Sequence, residues 1–144
     1  MRGYTLPMFL LLTLFMAVGP AAADEDPPVM LIVHSDVPDN ECSEKSAERI
    51  YLGKKTRWQG GATIVPVMLR EGDVHEEFVE GILDRSVAKF EIYWKQAVFT
   101  GKGIPPKAFD SERELMDYVS VTPGAVGYVK RGTPLRGVKE LVCK

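Results

Sequence analysis

The segment Val29–Val33 reads VMLIV, an unbroken apolar run. Such a run is typical of a strand that is buried on both faces of its sheet. The segments Thr63–Leu69 (TIVPVML), Gly124–Val129 (GAVGYV) and Val138–Val142 (VKELV) have the same character. Pro66 lacks an amide proton, so we expect its strand to lie near an edge or an irregularity of the sheet.

Helical signals separate these strands. We predict helices that begin at serine residues over three ranges, 43–52, 86–99 and 111–121. A fourth helix is predicted to run from Asp73 to about Leu83, with Asp73 and Glu76 as its capping pair. Strands that alternate with helices indicate the α/β class, here a three-layer domain with a mixed sheet flanked by helices.

The composition limits the class of function. The chain has 144 residues, of which 45% are hydrophobic and 26% charged, which is the size of one globular domain. Its 18 Lys and Arg residues nearly balance its 20 Asp and Glu residues, for a net charge of −2. This balance gives no electrostatic reason to bind nucleic acid or an anionic membrane.

Residues 1–23 have the pattern of a cleaved signal peptide. Positive charge at Arg2 precedes the apolar run Met8–Val18, and Ala21–Ala23 supplies the small residues of a cleavage site. A membrane anchor is the alternative, but the run is shorter than the ~20 residues that span a bilayer. We therefore expect a signal peptide over 1–23 and one globular domain over 24–144, exported to the periplasm or secreted, with no membrane insertion after cleavage.

Cys42 and Cys143 lie at opposite ends of the domain, and export would place them in an oxidising compartment. Three interpretations are open: a structural disulfide, two free thiols, or redox chemistry at Cys42. The disulfide is favoured, because no general base lies near Cys42 in the sequence.

No catalytic or metal-binding motif is present. The sequence lacks a nucleophile elbow, a GxxxxGK phosphate loop and a metal-spaced His/Cys cluster, so we expect no catalytic residues, no metal and no cofactor. His75 is expected to be solvated in the first turn of its helix, and His34 to pack at a strand end. The basic stretch Lys54–Trp58 (KKTRW) has two interpretations: an anion contact, or a solvated turn whose Trp58 packs on the core.

Three stretches taken together resemble the phosphate-type substrate-binding proteins of ABC transporters. They are Glu48–Thr56 (ERIYLGKKT) followed by Trp58, the strand around Ile64–Val67 that leads to Arg70, and Thr122–Val129 (TPGAVGYV). The resemblance implies a type II periplasmic binding protein fold. A length of about 120 residues after signal cleavage corresponds to one lobe of it.

The resemblance also implies a non-enzymatic binding function. In that family an Arg at the end of a strand leads into a Ser-Gly-Thr turn and a helix that together hold phosphate. The corresponding residues here are Arg70, Glu71, Gly72 and Asp73. We predict a small-anion site at Arg70, Gly72 and Asp73 with Trp58 nearby. Asp73 is expected to cap the helix itself, and both carboxylates to repel a dianion.

Two other interpretations stay open. The lobe could be a ligand-free protein-interaction or sensory module that contacts another protein or a second copy of itself, because the turn is acidic and the second lobe is absent. Arg70 could pair with Glu71, Asp73 or a neighbouring carboxylate instead of a ligand. A redox or hydrolytic enzyme that uses Cys42 or His34 has no motif in its favour.

Overall fold

A computed structural model describes residue 19 and residues 26–144. The signal peptide predicted over 1–23 therefore lies outside the described residues, apart from residue 19. No helix in the described part of the chain is long and apolar enough to cross a membrane.

The described chain alternates strands and helices as predicted. Its strands are β1 (Val29–His34), β2 (Glu41–Cys42), β3 (Val65–Leu69), β4 (Lys107–Phe109), β5 (Ala125–Lys130) and β6 (Val138–Cys143). Its helices are α1 (Glu44–Tyr51), α2 (Asp73–Glu77), α3 (Val87–Phe99) and α4 (Glu112–Val121). A π-helical segment, Phe78–Ile82, continues α2. The predicted α/β class is confirmed.

The strands form one mixed sheet in the order β2-β6-β1-β5-β3-β4. β1 lies antiparallel to both β5 and β6, while β3 lies parallel to β5 and β4. The prediction for Pro66 is confirmed as an irregularity: Val65 and Pro66 pair with β5, whereas Val67–Leu69 pair with β4. β3 thus changes partner next to its proline.

Helices cover both faces of the sheet. Successive strand residues point to opposite faces, so Gly127 and Tyr128 of β5 mark the two sides. Gly127 lies against Leu115 of α4, and Tyr128 stacks on Phe78 at a centroid distance of 3.8 Å. The hydroxyl of Tyr51 in α1 donates to the Val67 carbonyl on the Phe78 side. The expected three-layer arrangement is therefore present.

Serine caps begin three of the helices. Ser43, Ser86 and Ser111 each accept a hydrogen bond from the backbone amide three residues ahead. A disulfide joins Cys42 to Cys143, which pair in register between β2 and β6. The favoured interpretation of the two cysteines is confirmed, and the free-thiol alternative is wrong.

Candidate functional site

The predicted anion site lies where β3 ends and α2 begins. Arg70 follows the last residue of β3, and Gly72 is the N-cap of α2 with φ 103°. Few residues other than glycine adopt this backbone conformation. The prediction that Asp73 caps the helix is wrong: Asp73 is its first helical residue, and no side chain forms a cap hydrogen bond there. The reason is that Gly72 turns the chain one residue earlier than the Asp-x-x-Glu pattern indicates.

Arg70 is held by the carboxylate of Asp110, the residue that follows the neighbouring strand β4. Its Nε donates to Asp110 Oδ1 over 2.8 Å, and both side chains are well exposed. This hydrogen bond, with the charge of Asp110 and a smaller effect of Glu71, raises the pKa of Arg70 above its ordinary value. The interpretation of Arg70 as an ion-pair partner is confirmed, with Asp110 as the neighbouring carboxylate in place of Glu71 or Asp73.

His75 and Tyr128 form a buried polar pair between this turn and the sheet. His75 is only 4% exposed, and its Nδ1 lies 2.6 Å from the hydroxyl of Tyr128. The expectation of a solvated His75 is wrong, because the first turn of α2 rests on the sheet and places this side chain near Tyr128 and Phe90. The Tyr128 hydroxyl also accepts the Leu69 amide proton over 2.9 Å, next to Arg70.

The burial of this pair favours its uncharged forms. The Tyr128 oxygen accepts from Leu69 and its own proton can be donated to His75 Nδ1; in that arrangement His75 is neutral with its proton on Nε2. Burial lowers the pKa of His75, and Glu91 only partly offsets this. Burial also raises the pKa of Tyr128. Both groups are uncharged at neutral pH and act as a structural support for the turn.

The structure does not bring Trp58 to the turn. Trp58 is 4% exposed, and its indole Nε1 donates to the carbonyl of Gly124, the residue just before β5. Gly124 lies beside Val65, at the opposite end of β3 from Arg70. A strand of this length separates the two by about 16 Å. The expectation that Trp58 lies near Arg70 is therefore wrong, and its interpretation as a core residue fits its placement.

Other chemistry-bearing groups are used structurally. Within the described residues, no group of three or more His, Cys, Asp or Glu side chains could hold a metal ion. His34 Nδ1 lies 2.6 Å from Asp36 Oδ1, and the same oxygen accepts the Gly124 amide. The disulfide occupies Cys42, so it offers no thiol nucleophile.

Asp110, His75 and Tyr128 are the residues that sequence reasoning missed at this site. Asp110 follows the three-residue strand β4, and it meets Arg70 only because β4 pairs with β3. Tyr128 lies within the predicted strand Gly124–Val129, but the sequence does not show which helix covers it. A polar residue in an otherwise apolar strand was the only signal for this pair.

Comparison with known proteins finds similarity at the level of structure alone. No protein-family profile matches the sequence, and no curated protein matches it. An ABC-type phosphate transport receptor from Vibrio cholerae aligns with TM-score 0.63 and 17% identity, over 81% of this chain and 46% of its own. A putative phosphate ABC transporter substrate-binding protein with bound phosphate, from Clostridium perfringens, aligns with TM-score 0.64 and 21% identity, over 81% and 44%.

PstS from Borrelia burgdorferi gives a similar alignment, with TM-score 0.61, 14% identity and coverage of 81% of this chain and 47% of its own. The chain therefore spans less than half the length of each of these structures. At sequence identities this low, the structural similarity establishes the fold alone. The expected α/β fold is confirmed at that level: the chain shares its fold with somewhat less than half of each of these structures, as expected for one lobe.

Proposed function

We propose that this chain is an exported, non-enzymatic binding protein that holds a small anion such as phosphate at Arg70, Gly72 and Asp73. One observation carries the proposal: an arginine follows an interior strand of the sheet and precedes a helix that no side chain caps. The first-turn amides and the positive end of a helix favour an anion, and a guanidinium favours an oxyanion. The shared fold with phosphate-binding proteins of transporters supports the same ligand class.

The charges of the turn imply modest affinity. An arriving anion has to compete with Asp110 for the Arg70 guanidinium, and Glu71 and Asp73 add two further carboxylates beside it in the sequence. Arg70 is well exposed, so water screens each of these charges. We therefore expect binding that weakens strongly as salt is added.

The test is calorimetric titration of the chain over residues 24–144 with phosphate, sulfate and small organic anions at low salt. Arg70→Ala is expected to abolish the heat of binding. Arg113→Ala is the matched control, because Arg113 is an exposed arginine of α4 that also faces a carboxylate. Silence across the panel, or equal binding by both variants, contradicts the proposal.

A gain-of-affinity variant strengthens this test. Asp110→Asn frees the guanidinium and removes one negative charge, so phosphate affinity should rise about fivefold, as for one unit charge at ~4 Å in water. Asp117→Asn makes the same charge change on the exposed side of α4 and should leave affinity almost unchanged.

The proposed export has its own readout. Residues 1–23 would be removed, so the mass of the protein recovered from the periplasm or medium should correspond to residues 24–144. Retention of the first 23 residues contradicts the proposed cleavage.

A protein-interaction module is the second candidate function. Phe99 and Ile104, at the end of α3 and in the following turn, are 92% and 90% exposed, which favours a protein partner or self-association through this surface. Light scattering coupled to size exclusion, with crosslinking in the exporting cell, tests it. A strict monomer with no crosslinked partner contradicts this candidate and leaves the anion site unaffected.

A further inference from the structure

A second concave site lies on the opposite side of α3 from the Arg70 turn. It is a cavity of about 710 Å³ between the loop that follows α1 and the second half of α3. Its base is apolar and includes Ile50, Ile64 and Trp94. This volume and a mostly apolar lining are typical of sites for small molecules. We call it the lysine groove, because Lys54, Lys55 and Lys102 line it.

The walls of the lysine groove are held in place. The indole Nε1 of Trp94 donates to the Tyr51 carbonyl over 3.1 Å, and the Tyr93 hydroxyl donates to the Leu52 carbonyl over 2.7 Å. These two hydrogen bonds fasten α3 to the end of α1. Gly103 lies so close to the Trp94 ring that a Cβ there would be 3.1 Å from it. The groove is therefore formed before any ligand arrives, which lowers the entropy cost of binding.

The groove exists because of the partner change in β3. β4 pairs only with Val67–Leu69, so it does not cover the stretch of β3 at Pro66. Pro66 and Ile64 consequently line the groove together with α3 and the 101–104 turn. Arg70 lies beyond the other end of β3, so the two sites are separate and this inference is independent of the anion site at Arg70.

The charge of the groove has one sign. Three lysines line it and no carboxylate does, although the chain as a whole has a net charge of −2. Lys55 Nζ donates to Ser46 Oγ over 3.0 Å. In the described part of the chain, neither Lys54 nor Lys102 forms an ion pair. An apolar base with unpaired ammonium groups at its rim is complementary to a molecule with an apolar body and an anionic head.

We propose that the lysine groove binds an amphipathic organic anion, such as an aromatic or short alkyl carboxylate, sulfonate or phosphate ester. The apolar body lies against Ile64 and Trp94, and the anionic group lies between Lys54 and Lys102. This site also gives a role to the basic stretch that begins at Lys54, whose only aromatic residue, Trp58, is buried elsewhere.

The experiment uses the chain over residues 24–144 and the fluorescent aromatic sulfonate 1-anilinonaphthalene-8-sulfonate as the probe. Its neutral relative N-phenyl-1-naphthylamine is the comparison. Lys54→Gln/Lys102→Gln should weaken sulfonate binding about fivefold and leave the neutral probe unchanged, since two exposed charge contacts are lost. Lys130→Gln/Lys144→Gln, which removes the same charge outside the groove, should change neither affinity.

A second pair of variants tests whether the bound sulfonate probe lies in the lysine groove. Ile104→Glu places a carboxylate at the groove rim, and Val121→Glu places one at another well-exposed position outside it. Both side chains are exposed, so the urea midpoints should match that of the parent chain. Only Ile104→Glu should weaken the sulfonate, and probe-induced amide shifts should centre on Gly53 and Gly103.

Three results overturn the inference: equal loss in the groove and control variants, equal affinity for the charged and neutral probes, or shifts that centre away from the groove. Arg70→Ala separates the two sites. It should remove phosphate binding without affecting the sulfonate probe, so failure of one proposal is distinguishable from failure of the other.

Discussion

Removing the hydroxyl of Tyr128, which lies beneath the Arg70 turn, should lower the free energy of unfolding far more than removing the hydroxyl of Tyr51 in the same core. Tyr128→Phe keeps the ring that stacks on Phe78 at 3.8 Å but deletes the oxygen. That oxygen accepts the Leu69 amide over 2.9 Å and lies 2.6 Å from His75 Nδ1. Tyr51→Phe is the comparison, because its hydroxyl is equally buried and donates to the Val67 carbonyl.

The expected magnitudes follow from the partners left behind. Tyr128→Phe leaves a buried amide proton and a buried imidazole nitrogen without partners, and each costs about 1–3 kcal/mol. Partial relaxation gives a loss of about 3 kcal/mol in the free energy of unfolding. Tyr51→Phe removes a donor from carbonyl groups, which tolerate a missing partner better than an amide does, so we expect about 1 kcal/mol.

The assay is urea unfolding followed by tryptophan fluorescence, with the slope of the transition held equal between variants. Native-state hydrogen exchange adds a local readout: the Leu69 amide should lose protection in Tyr128→Phe and keep it in Tyr51→Phe. Equal losses of stability in the two variants, or an unchanged Leu69 exchange rate in Tyr128→Phe, would refute the assignment of Tyr128 as the buried acceptor of the turn.

Three further predictions concern the rest of the fold. Burial lowers the pKa of His75 below the 6.5 of the unfolded chain. The free energy of unfolding should therefore be highest above about pH 7 and fall below pH 6.5, by at most about 1.4 kcal/mol per pH unit. His75→Gln should flatten this slope when urea unfolding is measured across the pH range. Replacing Cys42 and Cys143 by serine opens a loop with a sequence separation of 101 and should remove about 2–4 kcal/mol of stability, whereas an unchanged midpoint after reduction contradicts a structural disulfide. Gly124→Ala should lower stability by about 3 kcal/mol or more, because φ is 77° and the new Cβ would collide with the Thr63 carbonyl oxygen; a soluble variant with the parent melting temperature would exclude that collision.

Local sequence signals, such as helix caps and apolar runs, were sufficient to predict most of the helices and strands. Ser43 and Ser111 each cap a helix by accepting a hydrogen bond from the amide three residues ahead. The apolar run Val29–Val33 forms a buried strand. β2 and β4 were not predicted, because strands of two and three residues carry no readable period and form only against longer partners. The same limit applies to the site, where contacts between residues 40 or more positions apart decide the chemistry.

The position of Asp73 changes the reason why this turn should bind anions weakly. A carboxylate at the N-cap would accept hydrogen bonds from the helix amides that a ligand needs. Neutralising other carboxylates nearby would then not make those amides available to the ligand. Because Gly72 is the N-cap, Asp73 stands at the first helical position and opposes an anion through its charge. Asp110 acts in the same way through Arg70. The helix start without a side-chain cap is therefore compatible with the proposed anion site, and we expect the acidic side chains around it to set its affinity.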